Sequence, residues 1–108
     1  MLHKEIKTKA QAAKVANEIK ADLMNELEVY EGYVVDVIND DTQYYITVTA
    51  NDKYSSKIIT SSATDTVMKV VSYYEMTCRG INYHLDVKQD KDGKFIPAIV
   101  VCLSYKKF

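Results

Sequence analysis

The chain has 108 residues, of which 47% are hydrophobic and 27% are charged, and its formal net charge is −1. This size and composition are typical of one globular domain with one core. The near-zero net charge argues against a whole-molecule attraction to nucleic acid or to an anionic membrane. The lysine-rich N-terminus lacks the apolar segment of a secretory signal. We therefore expect a single cytoplasmic domain over residues 1–108, with residues 1–7 forming a flexible basic arm.

Residues 8–30 are predicted to form the first helix. Its apolar residues recur at spacings of three and four and give one stripe, which consists of Val15, Ala16, Ile19, Leu23, Leu27 and Tyr30. Thr8 and Gln11 have the spacing of a capping box. Gly32 follows the helix at a place where a left-handed residue is expected.

Residues 33–50 are predicted to form a β-hairpin with its turn at residues 39–42. A two-residue loop at Asp40 and Asp41 would pair Val37 with Tyr44. This register places six apolar residues on one face, namely Tyr33, Val35, Val37, Tyr44, Ile46 and Val48. The opposite face is expected to be in water and carries Asp36, Tyr45, Thr47 and Thr49.

A short third strand is predicted at residues 57–60, and a second helix at residues 61–76. Ser62 and Asp65 have capping-box spacing. The apolar stripe of the second helix consists of Val67, Val70, Val71 and Tyr74.

Residues 81–103 are predicted to form a second hairpin around the turn at residues 90–93. Its register pairs Leu85 with Ile99, and the residues predicted to point inward are Ile81, Tyr83, Leu85, Val87, Phe95, Pro97, Ile99, Val101 and Leu103. The short loops require antiparallel neighbours. The expected class is therefore α+β, with an antiparallel sheet of four to five strands in the order α-β-β-(β)-α-β-β.

The last strand, FIPAIVVCL at residues 95–103, is apolar on both faces, because Ile96, Ala98, Val100 and Cys102 point away from the predicted core. Pro97 cannot donate a hydrogen bond, which favours an edge strand. An edge strand that is apolar on both faces requires a cover. Three covers fit the pattern: one helix on each face of the sheet, a second copy of the chain, or another protein.

The last two covers predict a non-enzymatic protein-binding domain of the adaptor, chaperone or inhibitor type, which acts through a sheet face and can do so as a homodimer. The predicted contact residues are Tyr45, Thr47, Ile96, Val100 and Cys102, with His84 at the rim. Tyrosine is enriched at such interfaces.

Two alternatives stay open. A nucleic-acid-binding accessory module would use Lys4, Lys7, Lys9 and Lys14 on phosphates and exposed tyrosines on bases. A weaker alternative is an enzyme in which Cys78 is the nucleophile and His84 the base. No metal site and no cofactor are expected, because neither zinc-ligand spacing nor a glycine-rich phosphate loop occurs.

The predicted order of helix, three strands and helix resembles that of double-stranded RNA-binding domains in outline. The start of the second helix, SSATDTVMK, lacks the basic cluster of those domains. With two further strands the order is also similar to that of secretion chaperones that dimerise through their sheets. Both resemblances concern element order only and assign no residue a role.

Overall fold

The computed structural model describes residues 4–5, 8–28, 32–40, 42–50, 59–79, 81–89 and 92–104. The elements in chain order are β1 (Lys4–Glu5), α1 (Lys9–Leu27), β2 (Tyr33–Asn39), β3 (Gln43–Ala50), α2 (Ser61–Thr77), β4 (Cys78–Arg79), β5 (Ile81–Gln89) and β6 (Phe95–Ser104). A four-stranded antiparallel sheet has the strand order β2-β3-β6-β5, and β1 pairs with β4 in parallel. The predicted α+β class is confirmed.

Helix α1 begins at the predicted capping box. Thr8 Oγ1 accepts a hydrogen bond from the Gln11 amide at 3.1 Å, and Gln11 Oε1 accepts one from the Thr8 amide at 3.3 Å. The helix ends at Leu27, three residues before the predicted end, and Tyr30 lies outside the described residues. Gly32 has a φ of 83°, as expected for the residue that redirects the chain into β2.

Helix α2 is capped by Thr60 and not, as predicted, by a Ser62–Asp65 box. Thr60 Oγ1 accepts the Ala63 amide at 3.2 Å, and its carbonyl accepts the Thr64 amide at 2.9 Å. The capping residue is therefore two positions earlier in the chain than Ser62. Of the strand predicted at residues 57–60, residues 57–58 lie outside the described part, and Ile59 and Thr60 belong to no strand.

The β2–β3 hairpin forms as predicted but in a register shifted by two residues. Val37 lies opposite Ile46 rather than opposite Tyr44. The cause is Asp40, whose Oδ1 accepts hydrogen bonds from the amides of Thr42 and Gln43, both at 2.8 Å. These bonds close the turn later in the chain than the predicted loop at Asp40 and Asp41. Because side chains alternate with a period of two, this shift leaves every residue on its predicted face.

The β5–β6 hairpin has the predicted register, with Leu85 opposite Ile99 and Val87 opposite Pro97. Strand β6 is nevertheless a central strand, because it also pairs with β3 from Ala98 to Ser104, so the predicted edge position is wrong. Pro97 lies one residue beyond the β3 ladder, where no amide is needed on that side.

Both helices pack on the same face of the sheet. One core unites the buried stripes of α1 and α2 with the inward residues of the strands, which include Val35, Ile46, Val48, Ile99, Val101 and Leu103. The first of the three predicted covers, one helix on each face, is therefore wrong. No described element packs on the opposite face, which we call the open face.

The helices do not reach the distal part of the β5–β6 hairpin. Leu85 and Phe95, which the sequence pattern assigns to the core, are 75% and 74% exposed, and Val87 and Pro97 are also exposed. Their orientation toward the helix layer follows from the register, but the helix layer ends before it covers them. The prediction that they are core residues is therefore wrong.

Candidate functional site: the open face of the sheet

The pairing of the strands arranges the open face in three transverse rows. The first row contains Val34, Thr49, Ala98 and Asp86, the second Asp36, Thr47, Val100 and His84, and the third Ile38, Tyr45, Cys102 and Asn82. In each row the two middle residues come from β3 and β6. Five of these six middle residues are buried although no described element lies over them, and the sixth, Tyr45, is half-buried.

Short side chains between taller neighbours explain this burial and produce a groove. Thr47, Ala98 and Val100 form its floor and are 6%, 2% and 8% exposed. The groove has a volume of about 270 Å³. A short side chain in the middle of a sheet is shielded from water by longer side chains on the flanking strands, so the floor is dry and recessed.

The walls of the groove differ in chemistry. Ile38 and Tyr45 line one side, and His84, Asp86 and Val87 line the other. The side chains of His84 and Asp86 are 51% and 59% exposed, and their atoms Nε2 and Oδ2 are 3.7 Å apart. The lining is therefore mainly apolar, with a few polar groups gathered on one wall, as is usual for ligand sites in proteins.

The hydroxyl of Thr47 is a polar atom without a partner on the groove floor. Its Oγ1 is buried, and no hydrogen-bond partner lies within reach among the described residues. Buried hydroxyls are nearly always hydrogen-bonded, because an unmade bond costs about 1–3 kcal/mol. The free chain therefore bears the cost of an unmade hydrogen bond at the floor of the groove.

Tyr45 is held in place by the turn that precedes β3. Its hydroxyl donates a 2.9 Å hydrogen bond to Asp40 Oδ2. The amides of Thr42 and Gln43, followed by this hydroxyl, lower the pKa of Asp40 from 3.8 to about 2, and the same bond raises the pKa of Tyr45. The wall on this side is therefore pre-ordered, and its aromatic ring does not rely on a partner for its position.

The cysteine that the structure places next to His84 is Cys102. The predicted partner of His84 is Cys78. Cys102 Sγ lies 3.9 Å from His84 Nδ1, and His84 in turn lies beside Asp86. Burial, reinforced by the charge of Asp86, raises the pKa of the Cys102 thiol. A catalytic cysteine requires the opposite shift. The side chain of Cys78 lies outside the described residues, so the Cys78–His84 enzyme stays a hypothesis.

Four of the six predicted contact residues, Tyr45, Thr47, His84 and Val100, line the groove. Cys102 is buried beside Tyr45 at one end of the open face. Ile96 is half-buried on β6 beyond the floor and does not line the groove.

Two of the four lysines of the alternative hypothesis, Lys9 and Lys14, lie apart from this site. Lys9 and Lys14 are exposed on α1, which packs on the other side of the sheet. Lys4 lies in β1, whose backbone pairs with β4, and Lys7 falls outside the described residues. The side chains of Lys4 and Lys7 are not described.

Sequence reasoning missed four groove residues as site residues: Ile38, Asp86, Val87 and Ala98. The alternation of the strands already places Ile38, Asp86 and Ala98 on the open face. The missing information is that both helices occupy the other face, which makes the whole open face accessible. Val87 is assigned to the core by the same alternation, so the strand pattern does not predict that it lines the groove.

Within the described part of the chain, no three His, Cys, Asp or Glu side chains come together in an arrangement that could hold a metal ion. Neither described helix combines the length and apolarity that a transmembrane helix needs. No protein-family model matches the chain, and neither curated proteins nor solved structures give a significant match.

Proposed function

We propose that the chain is a small, non-enzymatic protein-binding domain that acts through its open face. The observation that carries the proposal is the placement of both helices on one side of the sheet, which leaves a groove with a buried apolar floor on the other side. Natural sheets usually bury such a surface against a second layer. A partner protein that supplies this layer would cover Ala98, Val100 and Cys102.

The chemistry of the groove supports binding rather than catalysis. Its nearest described thiol, Cys102, is buried and its pKa is raised, so it is a neutral thiol at neutral pH. Among the described lining residues, Asp86 carries a negative charge, which would repel the phosphates of a nucleic acid. These observations favour a protein partner over a nucleic acid and over catalysis by Cys102; they do not bear on the Cys78–His84 hypothesis.

The test is a pull-down from lysate of the native host, combined with mass measurement of the recovered complex. The bait is the full chain, compared with an Asp86→Lys variant on the open face and an Asp65→Lys variant on α2. Both positions are exposed, so both variants should fold. We expect one complex that survives Asp65→Lys and is lost or strongly reduced with Asp86→Lys. A complex that tolerates Asp86→Lys, or that is lost equally with both variants, would place the binding surface elsewhere.

The same mass measurement covers a homodimer. If the purified chain is a dimer that dissociates on Ile38→Lys, the open face binds a second copy. If the chain is a monomer and Val100→Asp changes neither its stability nor its complexes, the open face has no docking role.

A further inference from the structure

We propose that the chain forms a dimer in which the β5 strands of two copies pair antiparallel at the edges of their sheets, so that one continuous sheet runs through both copies. The inference goes beyond the proposed function and does not rest on it, because edge pairing leaves the open face of each copy uncovered. Three observations carry it: the outer edge of β5, the partial cover of β5 by the helix layer, and the order of residues along the strand.

The outer edge of β5 offers backbone groups to another strand. Strand β5 has nine residues and lies at one end of the sheet, and no described strand pairs with it on the side away from β6. Val87 lies opposite Pro97, which has no amide, so these two residues cannot exchange hydrogen bonds. The backbone groups of Tyr83, Leu85 and Val87 therefore point to the outer edge, where the Val87 amide donates to Asp86 Oδ1 at 2.7 Å. A long edge of this kind is a template for strand pairing.

The helix layer covers one end of β5 and leaves the other end exposed. Ile81 and Tyr83 pack against the core, whereas Leu85 and Val87, on the same face, are exposed. When two copies pair antiparallel about a two-fold axis, the covered end of one β5 lies beside the exposed end of the other. The helix layer of the second copy then lies next to the apolar side chains that the single chain leaves in water.

The sequence of β5 is complementary to itself when it is read in the opposite direction. An axis at Leu85, the middle residue of the strand, allows pairing along its whole length. The opposed residues are then Leu85 and Leu85, His84 and Asp86, Tyr83 and Val87, Asn82 and Lys88, and Ile81 and Gln89. At the centre, apolar residues face apolar residues on the helix side, and an imidazole faces a carboxylate on the open side. His84 and Asp86 form a non-hydrogen-bonded pair in this register, which is the pair type with the closest side chains.

Neighbouring registers and the other edge of the sheet lack this complementarity. An axis at Asp86 would place two carboxylates opposite each other, and an axis at His84 would place two imidazoles opposite each other. Strand β2 forms the other edge, and its middle residue is Asp36, which would face its own copy. Like charges directly opposite each other destabilise a strand pair. The pattern therefore favours β5 with the axis at Leu85.

The experiment measures self-association of the purified full chain by analytical ultracentrifugation over a range of concentrations. We expect a monomer–dimer equilibrium. His84→Asp places carboxylates opposite each other, and Asp86→Lys replaces the carboxylate opposite His84 by an ammonium group, so each variant alone should associate about tenfold more weakly. Both positions are exposed, so both variants should fold.

An equimolar mixture of these two variants is the decisive sample. In a dimer with one chain of each kind, every charged pair across the axis again has opposite signs. We therefore expect the mixture to associate like the unaltered chain. Contacts within one chain cannot produce this recovery, because each variant keeps its own sequence in the mixture.

Two further variants locate the interface. Leu85→Pro removes an amide that points to the outer edge and leaves the bonds to β6 in place, so it should abolish the dimer. Ile38→Lys alters an exposed residue of the open face on β2, at the opposite edge of the sheet, and should leave the dimer unchanged.

A chain that is monomeric at every concentration would overturn the inference. So would a dimer that tolerates Leu85→Pro, a dimer that dissociates on Ile38→Lys, or a mixture of the charge variants that does not recover. If Leu85→Pro does not fold, the mixture decides alone. The lysate complex that tests the proposed function is identified by the mass of its partner, so either proposal can fail without the other.

Discussion

The hydroxyl of Tyr45 donates a 2.9 Å hydrogen bond to Asp40 Oδ2 and so ties one wall of the groove to the turn between β2 and β3. Asp40 also accepts two backbone amides within that turn. One carboxylate therefore sets both the register of the hairpin and the position of the aromatic ring on the open face.

This arrangement makes the stability of the hairpin dependent on pH in the acid range. The pKa of Asp40 is lowered from 3.8 to about 2 in the folded chain, mainly by the amides of Thr42 and Gln43. Its ionised form is therefore the stabilising one: the contribution is fully present above pH 3.8 and is lost as the pH falls toward 2. We expect the unfolding free energy, measured with urea, to fall more steeply over this range for the unaltered chain than for Asp40→Asn.

Tyr45→Phe is the matched control for the acid prediction. It removes the hydroxyl but leaves both amide hydrogen bonds of Asp40, so most of the pH dependence should remain. If Asp40→Asn and the unaltered chain lose stability in parallel below pH 3.8, the turn does not depend on the ionised carboxylate.

The unsatisfied hydroxyl of Thr47 predicts that Thr47→Val stabilises the free chain. The two side chains have similar shapes, and the substitution removes a buried polar group that has no partner among the described residues. We expect the free energy of unfolding to rise by about 1 kcal/mol, as measured by chemical denaturation. Thr49→Val is the control, because Thr49 lies on the same face and its side chain is buried to nearly the same extent. Among the described residues, the buried hydroxyl that lacks a partner is that of Thr47 and not that of Thr49. A loss of stability in Thr47→Val would mean that the hydroxyl is hydrogen-bonded in solution.

The two helices are joined by a hydrogen bond that the hydroxyl of Tyr74 on α2 donates to Asp22 Oδ2 on α1. A partly buried bond to a carboxylate contributes about 1–2 kcal/mol. We therefore expect Tyr74→Phe to lower the unfolding free energy by this amount in a denaturant titration, and Asp22→Asn to have a smaller effect because an amide oxygen still accepts the bond. Equal stability of Tyr74→Phe and the unaltered chain would contradict the bond.

Tyr74 also predicts a limit to stability at high pH. Burial, followed by the bond to Asp22, raises its pKa above 10.0. The neutral phenol is therefore the stabilising form: its contribution is complete below pH 10.0 and is lost as the pH rises toward the higher folded pKa. Tyr74→Phe should remove this part of the alkaline destabilisation, which thermal unfolding at a series of pH values above about 9 would measure.

The sequence predicts the helices, the strands and the face on which each residue lies better than it predicts which other elements pack against them. Hydrophobic periodicity locates both helices and four strands, because burial of one face is a local constraint on spacing. Alternation along the strands is also sufficient to place Tyr45, Thr47, His84 and Val100 together on one face. The predicted register of the first hairpin is wrong by two residues, because it depends on which aspartate closes the turn. A pattern of turn residues does not reveal that Asp40 accepts the later amides.

Two errors arise because a sequence pattern is local and does not contain the positions of distant elements. The predicted edge position of the last strand assumes that Pro97 excludes a second neighbour along the whole strand, whereas β3 pairs with β6 only from Ala98 onward. The predicted burial of Leu85 and Phe95 assumes that an inward side chain meets a helix. The reach of the helix layer depends on helix position, which no strand pattern contains.

The corrected position of the distal hairpin predicts that two directly paired residues differ in their contribution to stability. Leu85 and Ile99 lie opposite each other on the same face, but Leu85 is 75% exposed and Ile99 is 1% exposed. Ile99→Ala leaves a cavity in the core and should lower the unfolding free energy by about 2–5 kcal/mol. Leu85→Ala should change it by less than about 0.5 kcal/mol at concentrations at which the chain is a monomer. A large loss in Leu85→Ala under those conditions would contradict the exposed position of Leu85.

Thiol reactivity separates the protein-binding proposal from an enzyme in which Cys102, rather than Cys78, would act with His84. Burial and the charge of Asp86 raise the pKa of Cys102, so its thiolate is scarce at neutral pH. In a Cys78→Ser background, we expect Cys102 to react with iodoacetamide at least about tenfold more slowly than free cysteine at a pH of about 7.5, where an ordinary thiol with a pKa near about 8.5 is already partly ionised. His84→Ala should leave that rate nearly unchanged. Fast alkylation that depends on His84 would show that the imidazole activates the thiol, and the open face would then have to be reconsidered as a catalytic site.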